Sequence, residues 1–356
     1  MDFSDFLEKV KKETNETIEK YIPRKISKKW FEETFGKIEF EVDLNAIQKS
    51  LIDPIWEFLD RGGKRLRAAI FRLVVRGLGK DDSEIIDFSI IPELVHNGTL
   101  IIDDIEDRGE LRRGKSCLHL IFGEDIAINA GNFLYFFPLL IIEKNKENLN
   151  EKTLSRIYET FLREMVNLHL GQGTDIFWHK GHSANLNESQ YFQMCANKTG
   201  CLLRLSAKLA AILCGVDEIK TEKIGKIFEK LGIAFQIRDD VLDIELDKEE
   251  RKKFGKSIGN DIKEGKRSLL VIYTLKKASE KDKKRLIEIL NKHTDSLNEI
   301  LEAIEIIKKY GAIEYANQKA FELMKEALEE IDSLFVDEEA KQLIRNLSMF
   351  LIKRKI

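Results

Sequence analysis

Only four prolines interrupt the 356 residues. That is about 1%, where ~5% is usual, and so few breakers narrow the fold more than any other feature. With Lys, Glu, Leu and Ile abundant, the chain reads as almost entirely helical. Hydrophobic residues make up 43%, enough for a core, which excludes a disordered chain. Lys plus Arg total 59 and Asp plus Glu 62, a net charge of -3 without the basic excess of a nucleic-acid binder. Cys117, Cys195, Cys201 and Cys214 lack CxxC spacing. They read as small buried hydrophobes in a reducing compartment. The N-terminus, MDFSDFLEKVKKE, is charged throughout, unlike a signal peptide. The longest apolar run, 133–142, falls well short of the ~20 residues of a spanning helix. The expectation is a soluble, cytoplasmic protein that does not span a membrane.

Residues 1–42 read as an appended helical segment, with Pro23 ending its first helix and Gly36 marking a turn; the main domain is expected over 43–356. Asp43 is a plausible N-cap for a helix in which Leu44, Ile47, Leu51, Ile55 and Leu59 recur at spacings of three and four. Pro54 should kink it, and Gly62-Gly63 should end it. Further breaks are expected at 77–83, 143–152, 181–188, 248–266 and 276–283, with no internal repeat.

Two D-D-x-x-D stretches carry chemistry: Asp103, Asp104 and Asp107, then Asp239, Asp240 and Asp243. On a helix, residues i and i+4 lie one turn apart on one face. Asp103 and Asp107, like Asp239 and Asp243, therefore stack like charges, and such a cluster calls for a cation. Hard oxygen ligands suit Mg²⁺, which binds through one or two carboxylates plus substrate phosphates. Cations follow each cluster. Arg112, Arg113 and Lys115 come after the first, and Lys256 and Lys266 after the second. Gly62-Gly63-Lys64-Arg65-Leu66-Arg67 places three cations beside two glycines that permit close backbone approach. Lys198-Thr199 interrupts an apolar helix, and His96 lies two turns before Asp103. Carboxylates facing Lys and Arg are the arrangement expected of a diphosphate site.

From about Asp60 to Arg267 the chain resembles the trans-isoprenyl diphosphate synthases. The likeness rests on GGKRLRA, HNGTLIIDDIEDRGELRRGK, GQGTDIFWHKG, KTG, FQIRDDVLDI and GNDIKEGKRS, in the family's order, and is closest to the geranylgeranyl type. It implies an all-α, single-domain antiparallel bundle around a deep central cavity, usually a homodimer or higher homo-oligomer. It implies that Asp103, Asp107 and Asp239 bind a cluster of Mg²⁺, three ions with substrate bound, with Asp104, Asp240 and Asp243 also in the metal set. Arg112, Lys198, Lys256 and Lys266 would hold an allylic diphosphate (dimethylallyl, geranyl or farnesyl). Lys64, Arg67, His96 and Arg113 would hold isopentenyl diphosphate. Thr199 and Gln236 would line the reacting centre, with Gln172 and Asp175 nearby. Ala68 stands where the family often has proline, and the segment through Val42 is long for it.

The implied reaction breaks the allylic C–O bond, and the double bond of isopentenyl diphosphate attacks the resulting cation in a water-excluding cavity. In the family, bulky residues four or five positions before the first aspartate cluster stop growth early. Thr99 and Gly98, both small, argue against a strict farnesyl synthase. Tyr135 and Phe136, with His119, are expected to form the cavity floor and favour a C20 product; a longer-chain synthase is the alternative. A terpene cyclase or a non-catalytic partner subunit fits less well, because both aspartate motifs and GGKRLR are present.

Overall fold

The structure, a computed structural model, describes residues 2–182, 185–245 and 258–353. Among these, helices make up nearly all regular structure, as the scarcity of proline predicts. The exception is a small hairpin pairing Leu111–Arg112 with Lys115–Ser116. Its turn residues, Arg113 and Gly114, have φ of 53° and 76°, the positive values that a two-residue primed turn requires. The chain divides into two compact units, one of residues 1–76 with 80–156, the other of 77–79 with 157–356.

In the first unit the helix Phe3–Tyr21 begins where the Asp2 side chain accepts from the Ser4 N–H, and it ends just before Pro23. Phe6, Val10 and Ile18 on it are buried, so this part of the 1–42 segment contributes to the unit's core. Lys28–Phe35 follows, capped by Ser27 and ended by Gly36 at φ 89°. Asp43 caps the next helix as expected, accepting from the Ala46 N–H at 2.9 Å. That helix runs in three pieces: Leu44–Ile47, a π-helical turn Gln48–Ile52, and Asp53–Leu59. Pro54 has no N–H to donate and its ring crowds the preceding turn. The widened turn directly before it takes the place of the expected kink.

The helix Ile91–Glu106 crosses Glu124–Asn145 at two glycines. A Cβ on Gly98 would lie 2.8 Å from the Gly131 carbonyl oxygen, and one on Gly131 would lie 2.7 Å from Ile102 Cδ1. By length and composition the helical stretch Glu124–Asn148 is apolar enough to cross a membrane, although its longest uninterrupted apolar run is short. In this fold it is a packing helix, with Ala127, Ala130, Leu134, Phe137 and Ile141 buried.

The second unit is built on Cys201–Leu213, Glu218–Glu245 and Ala312–Glu329, with the C-terminal part of Glu151–Phe177. Its core gathers Trp178, Tyr191, Ile237, Val241, Leu269, Leu286 and Ile304, among others. Buried charges tie its helices together. The Arg204 guanidinium bonds both oxygens of Glu164 and reaches Glu229. Close backbone approach requires two further glycines. A Cβ on Gly232 would lie 2.7 Å from Gly200 Cα, and one on Gly171 only 2.3 Å from the Lys198 nitrogen. Because that obstacle is backbone, Gly171→Ala is expected to cost about 3 kcal/mol or more, measured as a lowered urea midpoint at unchanged slope. None of the four cysteines forms a disulfide among the described residues, and Cys117, Cys195 and Cys201 are buried.

Candidate active site

The first unit holds one carboxylate cluster and most of the arginines. Ile91–Glu106 carries Asp103, and Asp107 caps its C-terminus with its N–H donating to the Asp103 carbonyl at 2.9 Å. The two residues are therefore one turn apart. Asp104 turns inward instead, at 2% exposure. It accepts from Arg112 Nε at 2.8 Å and from Nη2 at 2.5 Å. Burial pushes its carboxyl up, against the pull of Arg112. Arg112 also lies 3.8 Å from Asp103, and the hairpin turn carries it together with Arg113.

The loop after Leu59 is held in an unusual shape. Gly62, Gly63 and Arg65 have φ of 87°, 128° and 49°. Arg113 donates to the Gly62 carbonyl oxygen. A Cβ on Gly63 would sit 3.2 Å from Arg113 Nη2 and 3.4 Å from Arg65 Nη1, so glycine answers both the backbone and the space. The helix Leu66–Gly77 then starts on a buried carboxylate. Glu93 Oε1 accepts from the N–H groups of Arg67 at 2.8 Å and Ala68 at 3.3 Å. His96 is half-buried, with Arg67, Arg113, Arg112 and Arg65 around it; desolvation first, then these cations, hold its ring well below the usual range, hence neutral. Arg113 itself is pushed down to about 10, by burial and then by Arg65, with Arg112 and Arg67 adding to it. Mutually repelling guanidiniums around a neutral imidazole suit a multiply charged anion, which relieves the repulsion.

The second unit holds the other cluster. A π-helical turn, Ala196–Gly200, presents Lys198 and Thr199. Lys198 donates to Asp175 at 2.6 Å. Burial alone would raise the Asp175 carboxyl, but Lys198 and Lys266 hold it below the usual range. Lys266 also lies 3.2 Å from Asp261 and 2.6 Å from Glu264. A chain of hydrogen bonds runs inward from Thr199, whose hydroxyl donates to Gln236 Oε1 at 2.7 Å. The Gln236 amide donates to Asp240 at 2.9 Å, and the Tyr191 hydroxyl donates to the other Asp240 oxygen at 2.6 Å. Burial, then Asp261, pushes the Asp240 carboxyl up. Asp243 accepts from the N–H groups of Asn260 at 3.2 Å and Asp261 at 3.1 Å, capping the short helix Asn260–Lys263.

Of the six aspartates, Asp104 bonds Arg112 through one oxygen, Asp240 accepts from Tyr191 and Gln236, and Asp243 accepts from the start of a short helix. All six offer hard carboxylate oxygens of the kind that suits Mg²⁺. Among the described residues no three His, Cys, Asp or Glu side chains converge into an all-protein cage. Mg²⁺ bound together with substrate phosphates needs only one or two carboxylates, so the donor set fits it. Lys256 lies outside the described residues.

One expected floor residue is corrected. Phe136 is 69% exposed, because a step of 100° along the helix turns it away from Tyr135. Gly98 lies at the helix crossing, where bulk would meet Gly131 and Tyr135. Thr99 is half-buried, with its hydroxyl on the His96 carbonyl. Tyr135 lies close enough to Glu106 and Asp103 for both to add to the rise that burial gives its hydroxyl. His119, half-buried, sits on Leu118–Phe122, which packs against Glu124–Asn145. Sequence reasoning missed Asp261, although it lies inside the quoted GNDIKEGKRS, and Glu93, an acid in the otherwise apolar first turn of Ile91–Glu106.

The polyprenyl synthetase family model matches residues 48–307. A short chain isoprenyl diphosphate synthase from Methanocaldococcus jannaschii is 38% identical over 256 residues, 72% of this chain and 75% of that one. A geranylgeranyl pyrophosphate synthase from Dictyostelium discoideum is 33% identical over 300 residues, 84% of this chain and 93% of its own. The crystal structure of geranylgeranyl pyrophosphate synthetase from Pyrococcus horikoshii superposes with a TM-score of 0.84 at 29% identity, covering 99% of each chain. The chain belongs to the polyprenyl synthetase family and is an all-α trans-prenyltransferase.

Proposed function

We propose that this enzyme condenses isopentenyl diphosphate head-to-tail with allylic diphosphates, depends on Mg²⁺, and ends chiefly at the C20 product, geranylgeranyl diphosphate. The arginine cluster around neutral His96 carries the reading, since it concentrates cations where a diphosphate would be held. In this reading Lys64, Arg67, His96 and Arg113 bind isopentenyl diphosphate. Arg112, Lys198 and Lys266 serve the allylic diphosphate.

Asp103, Asp107 and Asp239 would supply carboxylates for Mg²⁺. When bound, Mg²⁺ neutralises charge on diphosphate oxygens as the leaving group departs. Lys198, oriented by Asp175, adds a fixed cation to that charge. The Thr199 hydroxyl, its proton committed to Gln236, turns lone-pair density rather than a donor toward an allylic cation. No side chain is required as base, because the departing diphosphate can take the proton.

Product length is read from Thr99 and Tyr135. Tyr135→Ala is expected to shift the main product beyond C20, measured by chromatography of the dephosphorylated alcohols; an unchanged distribution would remove Tyr135 from the length-setting wall. A homodimer is part of the proposal. Leu162, Val166 and Leu170 are exposed at successive steps of four, an apolar stripe on one helix face suited to a second copy. The test of the function is incubation with Mg²⁺, labelled isopentenyl diphosphate and each of dimethylallyl, geranyl and farnesyl diphosphate. A dominant geranylgeraniol peak supports the reading, a ladder of longer alcohols replaces the C20 assignment, and no elongation from any primer sinks it.

A further inference from the structure

The helix Phe3–Tyr21 precedes the family match, which begins at residue 48, yet it reaches the Gly62–Arg65 loop. Arg65 is left-handed at φ 49° and 3% exposed. A non-glycine residue keeps such a strained backbone only where its surroundings hold it. Here Arg65 Nε donates to Asn15 Oδ1 at 2.9 Å, and Nη2 donates to the Leu59 carbonyl at 3.1 Å. Asn15 is itself held in place. Two residues before it, Glu13 pairs with Arg72, which also bonds Asp82. At the end of the same helix, Lys20 and the Tyr21 hydroxyl bond Asp87 at 2.7 and 2.6 Å. Arg113 fixes the other end of the loop through the Gly62 carbonyl. The loop is therefore clamped by two guanidiniums, one carried by the hairpin and one tied to the N-terminal helix.

We propose that the N-terminal helix is a working part of the diphosphate-binding loop, with Asn15 a positioning residue that holds Arg65 and thereby sets the backbone carrying Lys64 and Arg67. Asn15 touches no substrate; it acts through Arg65. The inference rests on the reading of this loop as the isopentenyl diphosphate site, and it differs from a merely structural role in one respect. A structural contact lowers thermal stability and impairs both substrates alike, whereas a loop-positioning contact acts on one substrate.

The test uses the full-length enzyme with Asn15→Ala and Asn15→Asp. Asn15→Ala is expected to raise KM for isopentenyl diphosphate about five- to tenfold, the effect of losing one typical net hydrogen bond. KM for geranyl diphosphate and kcat are expected to stay within about twofold. Asn15→Asp keeps an acceptor for Arg65 and should return KM for isopentenyl diphosphate close to the wild-type value. Calorimetric titration with inorganic diphosphate should show the same loss and rescue without turnover. An unchanged KM for isopentenyl diphosphate, an equal rise for both substrates, or failure of Asn15→Asp to rescue would each overturn the proposal. Should Asn15→Ala not fold, Asn15→Ser is read by the same substrate split. Wild-type enzyme that elongates no primer would defeat the underlying reading instead, so the two failures are separable.

Discussion

Asp103→Asn is expected to lower kcat/KM at least about a thousandfold while leaving the helical circular dichroism unchanged. The carboxylate sits one turn from Asp107 at the end of Ile91–Glu106, is about one-fifth exposed, and lies 3.8 Å from Arg112, whose short bonds go to Asp104. The isosteric amide keeps the side chain's shape and takes away a hard anionic oxygen. Amide oxygen is a poorer ligand for Mg²⁺, so the variant should also need more Mg²⁺ for half-maximal rate. Steady-state kinetics at several Mg²⁺ concentrations read both effects. A loss of only tenfold, with an unchanged Mg²⁺ requirement, would mean that Asp103 is not a metal ligand. Asp104→Asn should behave differently, because its partner is Arg112: the variant should lose stability together with rate.

The largest effect on stability is expected at Glu164. Its carboxylate is 1% exposed and takes two bonds from Arg204, whose own side chain is 7% exposed. Replacing it with leucine leaves a guanidinium buried with only Glu229 for compensation. Breaking a buried pair from one side costs about 3–5 kcal/mol. Chemical denaturation of Glu164→Leu should therefore show a much lower midpoint. The double variant Glu164→Leu with Arg204→Met should recover a large part of the loss, because Glu229 keeps Lys226 at 2.7 Å and the remaining contact becomes apolar. A double variant as unstable as the sum of the singles would mean that the charges are independent.

Much of this was legible in the sequence because it depends on local spacing. Asp43 caps its helix, Pro23 and Gly36 end theirs, and Asp103 and Asp107 lie one turn apart. These are matters of backbone period and missing donors, which neighbouring residues decide. The inward turn of Asp104 and Asp240 was not legible, since it depends on which residues from distant stretches meet them: Arg112 on a hairpin, and Tyr191 forty-nine positions before Asp240. The hairpin itself had a signal in Arg113-Gly114, two residues suited to positive φ, but its two-residue strands are too short for a period to register. Phe136 failed for a geometric reason. Adjacent positions on a helix differ by 100°, so two consecutive aromatics cannot both face one floor. Glu93 and Asn15 act on backbone and side chains far along the chain, and their types alone say nothing of that.

The stacked carboxylates at the end of Ile91–Glu106 also make that turn a thermodynamic probe. Like charges four apart oppose the last helical turn, so its amide protons should exchange faster than those of the helix centre. A ligand that binds only the folded turn stabilises it by RT ln(1 + [L]/Kd), about 2.7 kcal/mol at a hundredfold excess over Kd. Slowed exchange at Asp107, whose N–H bonds the Asp103 carbonyl, would then report occupancy by mass action. The affinity for cation and diphosphate becomes measurable on the resting protein, one turn of helix serving as its own indicator.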